Sequence, residues 1–385
     1  MKKTIISYIN DKQAEMVQLL ERLVSIDSGS YNKAGVDQVG EILADRFRSL
    51  GFTVQVQYQA NLGCNILAKL SGPGREKFLL VGHMDTVFDD GTAAARPFTV
   101  RDGIAYGPGV DDMKSGLVSM LYALEALLAA GWNNFAEITV ILNGDEEIGS
   151  FSSRDLIERE ALQADAAFVL EPGREDGSVV TGRKGVGSYE LFITGVAAHA
   201  GVEPEKGVSA IGELAHKILA LHGLTDYAAG TTVNVGVVKG GTRSNVVAEN
   251  AYAKIDVRVS TAAEAERVSA RLAEAGSVAV LDGIKLKFLG GIERPPMVKS
   301  AAIEQLFNTV RAAGQIIGLD IRDTFTGGGS DGNFIAALGT PVVDAMGPVG
   351  GQGHSDREFT RLETLPERCQ LLALTLLLRA QAQNG

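Results

Sequence analysis

Short apolar runs bounded by glycine or proline recur through the first half of the chain and alternate with amphipathic segments. Four of these runs have the length and composition of buried strands: residues 65–70, 78–81, 138–142 and 166–170. Apolar residues at three- and four-residue steps predict helices at 36–50, ending at Gly51, and at 114–130. A strand without a polar face must be covered on both sides, so the pattern predicts an α/β sheet with helices on both faces.

The pattern changes from about residue 182, where strands and helices follow in the order βαββαβ. The strands are predicted at 189–194, 231–238, 248–259 and 284–289, and the helices at 207–222 and 262–275. This order is that of a ferredoxin-like α+β unit. Because α/β signals resume at residue 301, we expect one domain formed by residues 1–181 and 295–385, with a second domain, residues 182–294, inserted into it.

Charge and cysteine content exclude several classes of protein. The chain has 36 Lys and Arg against 47 Asp and Glu, a formal net charge of −11, which disfavours nucleic acid and anionic membrane surfaces as partners. Cys64 and Cys369 form no CxxC pattern, so neither a disulfide framework nor a cysteine zinc site is indicated. The apolar stretch at 5–9 is too short for a secretory signal, and no run approaches the ~20 residues of a membrane span. We therefore expect a cytoplasmic location.

Histidine and carboxylate side chains follow the predicted strands at the point where each strand ends. His83 comes directly after the strand at 78–81, at the edge where open α/β sheets bind ligands, and Asp85 is placed to accept the second imidazole N–H. Asp145, Glu146 and Glu147 follow the strand at 138–142, where like-charge repulsion is costly unless cations are bound.

Further candidate ligands lie after another strand and in glycine-rich loops. Glu171 ends the strand at 166–170, Asp111 and Asp112 precede the helix at 114–130, and His354 lies in the loop Gly350-Gly-Gln-Gly-His. Each motif also has a plain structural explanation: a core histidine, a solvated acidic turn, or a helix N-cap, which we expect for one of the two aspartates. Together, however, two imidazoles and several carboxylates form a ligand set suited to zinc, cobalt or manganese. Five ligands around two ions, with one carboxylate shared, resemble a two-metal hydrolytic site.

The motifs GHMDTV, GPGVDDMKSG, GDEEIGS, LEP, AAHAG and GQGHSD resemble, in order and spacing, those of the dizinc peptidases that include carboxypeptidase G, glutamate carboxypeptidases, aminoacylases and biosynthetic deacylases. The resemblance covers essentially the whole chain. It implies a mixed-sheet catalytic domain with an inserted ferredoxin-like lid and dimerisation domain. It also implies two Zn²⁺ per subunit, replaceable by Co²⁺ or Mn²⁺.

The resemblance assigns metal and catalytic roles residue by residue. His83 and Glu171 would bind one zinc, Glu147 and His354 the other, and Asp112 would bridge them. Glu146 would be the general base, and Asp85, placed two residues after His83, is the catalytic residue expected to orient that imidazole. The peptide bond after the bridging aspartate, Asp112–Met113, is expected to be cis.

The resemblance also assigns roles near the substrate. His199 would reach the active site of a neighbouring subunit, so that a homodimer completes catalysis. The residues that match positions around the substrate's carboxylate and carbonyl are Asn245, Arg258, Arg294, Gly328 and Gly329. The structural alternatives are a surface ion pair for either arginine and a surface role for His199. His216 and His222 receive no functional role.

These observations predict metal-dependent hydrolysis of an amide bond in a small peptide or N-acyl amino acid. The sequences around Asp85 and Gly328 resemble the glutamate carboxypeptidase branch most, which favours release of a C-terminal amino acid such as glutamate. An N-acyl-amino-acid deacylase or a dipeptidase is the alternative within the family, and a non-catalytic metal-binding homologue the alternative outside it. Nucleotide binding is disfavoured, since the glycines at 107–109 and 177–182 miss the GxGxxG and Walker spacings.

Overall fold

Chain segments distant in sequence assemble into two units in the computed structural model, which describes residues 1–382. The first unit contains Met1–Gly182, Lys299–Phe325 and the chain from Ser330 onward, and the second contains Arg183–Val298 with Thr326–Gly329.

Up to residue 183 the elements are α1 (Lys2–Asp11), α2 (Gln13–Val24), α3 (Lys33–Ser49), β1 (Thr53–Gln57), β2 (Asn65–Ser71), β3 (Lys77–His83), α4 (Thr92–Ala95), β4 (Thr99–Arg101), β5 (Ile104–Tyr106), α5 (Gly116–Ala129), β6 (Glu137–Asn143), α6 (Arg154–Ala161), β7 (Ala166–Val169) and β8 (Val179–Arg183). The second unit contributes β9 (Gly185–Thr194), α7 (Ala210–His222), β10 (Thr232–Gly240), β11 (Asn250–Val259), α8 (Ala262–Ser277) and β12 (Lys285–Arg294). The remaining elements are α9 (Ala301–Ile316), β13 (Asp323–Thr326), α10 (Gly332–Ala337), β14 (Val342–Val343), β15 (Gly350–Gly351), β16 (Phe359–Arg361) and α11 (Thr364–Ala382).

The main sheet of the first unit has six strands in the order β1-β2-β6-β3-β7-β14. Strands β6, β3, β7 and β14 run parallel, and β1 and β2 are antiparallel to their neighbours. The sheet is therefore mixed, and the prediction of β3 as a buried central strand is confirmed. Because β3, β6 and β7 are parallel, the residues that follow them meet at one edge of the sheet.

Helices cover this sheet as the apolar periodicity predicts. Helix α3 begins after Asn32, whose side chain accepts from the Gly35 N–H at 2.9 Å, and ends before Gly51, which has φ +89°. Helix α5 is buried along most of its length and packs against α11 and α1. Helices α1 and α2 are not among the predicted elements, and the apolar residues at 5–9 are weighed above only as a secretory signal.

The second unit contains a four-stranded antiparallel sheet in the order β10-β11-β9-β12. Numbered within the unit, this order is 2-3-1-4, which is the ferredoxin-like arrangement of a βαββαβ chain. The helices α7 and α8 pack on this sheet around a core that includes Leu191, Leu214, Ile255 and Leu272. The predicted mixed α/β fold with an α+β unit is thereby confirmed.

A small antiparallel sheet in the first unit has the order β15-β16-β5-β4. Its strands have only two or three residues, too few for periodicity to reveal them. The pairing of β16 with β5 places the chain after His354 next to the chain that leads to Asp112.

Among residues 1–382, no helix combines the length and apolar character that a membrane span requires.

Candidate metal centre

His83 occupies the last position of β3 and is 1% exposed. Its Nδ1 lies 2.9 Å from the carbonyl oxygen of Asp85, which can only accept, so Nδ1 carries the proton. Its Nε2 is then free to act as a ligand and lies 3.1 Å from Asp112 Oδ1 and 3.6 Å from Glu171 Oε1. The imidazole thus faces two carboxylates from other segments.

Asp112 lies in an irregular turn, Val110–Ser115, between β5 and α5. The Asp112–Met113 peptide bond is cis. The expectation that Asp111 or Asp112 caps the following helix is wrong: α5 begins at Gly116 after Ser115, and the turn separates both aspartates from its first residue. The regular helix starts late because Asp112 and Met113 have non-helical backbone angles. The two carboxylate oxygens of Asp112 point to different histidines.

His354 and Glu147 form the other half of the cluster. His354 Nε2 lies 3.3 Å from Asp112 Oδ2 and 3.3 Å from Glu147 Oε2. Glu147 belongs to a short 3-10 turn, Glu146–Ile148, that follows β6. The other oxygen of its carboxylate, Oε1, is buried and has no hydrogen-bond partner among residues 1–382. A buried carboxylate oxygen without a partner is costly, so an electrophile is expected there.

Two groups of possible metal donors overlap at His83. Ligand atoms of His83, Asp112 and Glu147 lie within 4.8 Å of one another, and so do those of His83, Glu146 and Glu171. These groups contain five of the seven predicted metal, base and orienting residues of the first unit. His354 lies against Asp112 and Glu147, and the remaining residue is Asp85. His83 lies near Glu171 and His354 near Glu147, and each histidine also lies near Asp112.

The Asp85 carboxylate has a different set of partners from the one expected. The imidazole N–H of His83 is closer to the Asp85 backbone carbonyl than to its carboxylate, whose Oδ1 is 3.5 Å away. The carboxylate instead accepts from the Ser30 hydroxyl at 2.7 Å and from the N–H groups of Glu146 and Glu147 at 3.1 and 3.2 Å. Asp85 thus holds the turn that presents the two glutamates.

The electrostatics of the cluster show an excess of negative charge. Burial works against ionisation of Asp112, but hydrogen bonds from His354 and His83 outweigh it and hold its pKa below the ordinary value. Hydrogen bonds to Asp112 and Glu147 raise the pKa of His354 to about 10. Burial raises the pKa of Glu171 well above its ordinary value, and repulsion from Asp112 adds to the rise.

This donor set fits a pair of divalent cations. Neutral imidazole nitrogens and carboxylate oxygens are the ligands of zinc, cobalt and manganese. The unpartnered oxygen of Glu147 and the crowded carboxylates supply unsatisfied negative charge, and Asp112 presents one oxygen to each histidine. The residues present therefore suit two cations that share Asp112.

The remaining predicted site residues lie in the second unit. Exposed His199 accepts at Nδ1 from the Gly201 N–H at 3.1 Å, which leaves the ring proton on Nε2. Arg258 forms a bidentate pair with Asp256 at 3.0 and 2.9 Å, the ion pair weighed as the structural alternative. The other predicted residues are buried Arg294, exposed Asn245, and Gly328 and Gly329 in the segment Thr326–Gly329.

Two residues that contact predicted site residues are not predicted from the sequence. Arg183, 4% exposed, donates from Nη1 toward the carbonyl oxygens of Gly328 and Gly329 at 3.2 and 3.5 Å. Glu358 accepts from three N–H groups around Asp112. Glu358 stands four residues after His354 in the sequence, but its partners lie about 250 positions away and no local signal marks them.

A mixed α/β sheet that gathers histidines and carboxylates around two cation positions defines a metal-dependent hydrolase of the two-metal class. The model of Peptidase family M20/M25/M40 matches residues 79–378, and the chain belongs to this family. It is a metal-dependent peptidase or amidohydrolase, and the resemblance noted from the motifs is confirmed.

Individual relatives match nearly the whole chain. Carboxypeptidase G2 of Pseudomonas sp. (strain RS-16) is 34% identical over 371 residues, covering 94% of this chain and 89% of the relative. Succinyl-diaminopimelate desuccinylase of Dechloromonas aromatica (strain RCB) is 30% identical over 374 residues, covering 91% and 95%. The crystal structure of aminopeptidase PepT from Bacillus cereus has a TM-score of 0.79 at 27% identity and covers 94% of this chain and 97% of its own.

Proposed function

We propose that the chain hydrolyses the amide bond that joins a C-terminal amino acid, glutamate or a similar residue, to an acyl or peptidyl group. The observation that carries this proposal is the pair of donor groups that share His83, one with Asp112 and Glu147 and the other with Glu146 and Glu171. In this scheme His83 and Glu171 hold one zinc, Glu147 and His354 hold the other, and Asp112 bridges both. Co²⁺ or Mn²⁺ would replace zinc.

Bound cations would supply a water of lowered pKa and polarisation of the scissile carbonyl. Glu146 removes the proton of the attacking water and returns it to the leaving amine, as a general base and then a general acid. The Asp85 carboxylate holds the backbone of Glu146 in place while this proton moves. His199 offers its Nε2–H to the developing oxyanion.

Substrate recognition is assigned to the second unit. Arg258 and Arg294 would bind the substrate carboxylate, since a guanidinium matches a carboxylate bidentately. Asn245, Gly328 and Gly329 would contact the adjacent carbonyl and backbone. We further propose that a homodimer formed through the inserted domain, residues 182–294, supplies His199 to the partner's site, and that the enzyme works in the cytoplasm.

The choice of substrate is supported by the relatives. Carboxypeptidase G2 shares 34% of aligned residues with this chain and its name indicates removal of a C-terminal residue. The desuccinylase at 30% identity favours the second candidate, a deacylase that acts on an N-acyl amino acid. A dipeptidase activity is the third outcome to be compared.

The deciding experiment is a substrate panel assayed with added Zn²⁺. It contains N-acyl-glutamates with a free α-carboxylate, the same compounds as α-amides, dipeptides, and N-acetyl and N-succinyl amino acids. We expect the highest kcat/KM for the free N-acyl-glutamates and a large loss for the amides. Preference for small N-acyl groups irrespective of the amino acid would favour the deacylase instead, and no hydrolysis of any member would contradict both.

The role of Glu146 is tested by Glu146→Gln, with Glu41→Gln on the exposed face of α3 as the matched control. Removal of a general base lowers kcat by about 10²–10⁴-fold. Both variants should bind metal as the unaltered chain does, since Glu146 is assigned to proton transfer. Near-normal turnover of Glu146→Gln would remove Glu146 from this role.

A further inference from the structure

Three backbone N–H groups of the turn that carries Asp112 converge on one buried carboxylate. Glu358 Oε2 accepts from the Gly109 N–H at 2.8 Å, and Oε1 accepts from the N–H groups of Asp111 and Asp112, both at 2.9 Å. The Glu358 side chain is 1% exposed. Because both oxygens are occupied by backbone donors, Glu358 is placed to hold the turn and not to contact a substrate.

The strand that follows Glu358 fixes it relative to the same turn. Thr360, in β16, donates its hydroxyl to Asp111 Oδ1 at 2.8 Å, and its oxygen lies 3.1 Å from the Val110 carbonyl oxygen. Strand β16 also pairs with β5, which leads directly into the turn. The pairing of β16 with β5 therefore fixes the distance between the Glu358 carboxylate and the N–H groups that donate to it.

Glu358 also connects the two segments whose side chains meet at the cluster. It lies four residues after His354, and its carboxylate binds the backbone N–H of Asp112 itself. His354 Nε2 and Asp112 Oδ2 are 3.3 Å apart. Any shift of the turn therefore changes the distance between these two proposed metal-ligand atoms. No regular helical hydrogen bonding replaces the Glu358 contacts, because Asp112 and Met113 have non-helical backbone angles.

We propose that Glu358 is a positioning residue that orients the bridging carboxylate of Asp112 toward both cations. The proposal rests on the proposed two-metal function. A carboxylate is required because all three N–H groups donate, and both oxygens of an ionised carboxylate accept. A glutamine would turn an NH₂ group toward at least one of them, and an aspartate would withdraw both oxygens by about 1.5 Å, one C–C bond.

The test uses Glu358→Gln and Glu358→Asp in the full chain, with the exposed Glu363→Gln as the matched control. Each purified, metal-depleted protein is titrated with Co²⁺, and the visible absorption spectrum and the affinity of both cobalt ions are measured. Circular dichroism and thermal melting establish folding. We expect a 10–100-fold loss of cobalt affinity and an altered spectrum in Glu358→Gln, a smaller change in Glu358→Asp and none in Glu363→Gln. The kcat should fall more than KM rises, because Asp112 acts on the reacting centre and not on substrate binding.

Each result has a defined meaning. A folded Glu358→Gln with the cobalt affinity and spectrum of Glu363→Gln overturns the proposal, and so does unfolding of both Glu358 variants, since a general structural role would then explain them. If Glu358→Gln does not fold, an unchanged affinity and spectrum in Glu358→Asp overturn it. Failure of the unaltered chain to bind cobalt, or retention of both ions in Asp112→Ala, instead contradicts the proposed function.

Discussion

Glu213 of α7 is a buried carboxylate whose removal should destabilise the second unit strongly. It is 0% exposed and accepts from the Val280 N–H at 3.0 and 3.1 Å and from the Leu281 N–H at 2.8 Å. The ammonium group of Lys217, itself 3% exposed, lies 3.3 Å away. Glu213→Ala leaves two N–H groups without their acceptor and the Lys217 ammonium group without its counter-charge, although the Val278 carbonyl still accepts from it. Breaking a buried pair in this way costs about 3–5 kcal/mol.

The pH dependence follows from the same contacts. Burial raises the pKa of Glu213, but the Val280 and Leu281 N–H groups and Lys217 outweigh it, so the pKa lies below its ordinary value. A group whose pKa is depressed on folding stabilises the protein above its unfolded pKa of about 4.3, and this contribution disappears as the pH falls through the folded value. The unaltered chain should therefore lose stability more steeply than Glu213→Ala below about pH 4.

Amide hydrogen exchange measures this effect locally. The only tryptophan, Trp132, lies in the first unit, so its fluorescence does not report on the second. Peptides from β9 and β11 in Glu213→Ala should lose about two to three and a half orders of magnitude in protection, the equivalent of 3–5 kcal/mol. The exposed Glu249→Gln should stay within about 0.5 kcal/mol of the unaltered chain.

A double variant separates two contributions of Glu213 to stability: its ion pair with Lys217 and its hydrogen bonds to backbone N–H groups. Glu213→Leu combined with Lys217→Met replaces the ion pair by apolar side chains and should recover part of the loss. It should not recover all of it, because the Val280 and Leu281 N–H groups remain without an acceptor. Protection in Glu213→Ala within 0.5 kcal/mol of the unaltered chain would refute this reasoning.

Three further predictions concern the proposed centre. Chelation by EDTA or phenanthroline should abolish activity, with recovery on adding Zn²⁺ or Co²⁺; full activity in a metal-free sample would contradict the scheme. Asp112→Asn should reduce the bound metal from two ions to at most one per chain, measured by elemental analysis, whereas two tightly bound ions would exclude the bridge. Arg294→Lys should raise KM for substrates with a free α-carboxylate and leave their α-amides unaffected, because a lysine does not bind a carboxylate bidentately. An equal effect on both substrates would remove Arg294 from carboxylate recognition.

The sequence predicted the fold where apolar patterns were long enough to have a period. Buried runs identified β3, β6 and β7, and their parallel order explains why His83, Glu147 and Glu171 meet at one edge. The ferredoxin-like unit followed from the order of its elements. The strands of two or three residues around 104–106 and 350–361 carry no such period, so the small sheet was not predicted.

The site was predictable as a set of residue types but not as a geometry. A carboxylate that follows an apolar strand can be recognised from the local sequence. Whether the His83 N–H binds the carbonyl or the carboxylate of Asp85 depends on the position of the Glu146 turn, whose N–H groups occupy the carboxylate. Asp112 resembles a helix cap in sequence, but the backbone angles at Asp112 and Met113 are non-helical and the helix starts only at Gly116. Contacts such as that of Glu358 with Gly109 join segments 249 positions apart and leave no trace in a local pattern.

The central claim is that two cations share Asp112 between His83 and His354. Crystals grown with Zn²⁺ and measured at the zinc absorption edge would test it most directly. The account predicts two anomalous peaks about 3.5–4 Å apart, with one oxygen of Asp112 on each. A single peak, or two peaks that Asp112 does not bridge, would contradict it.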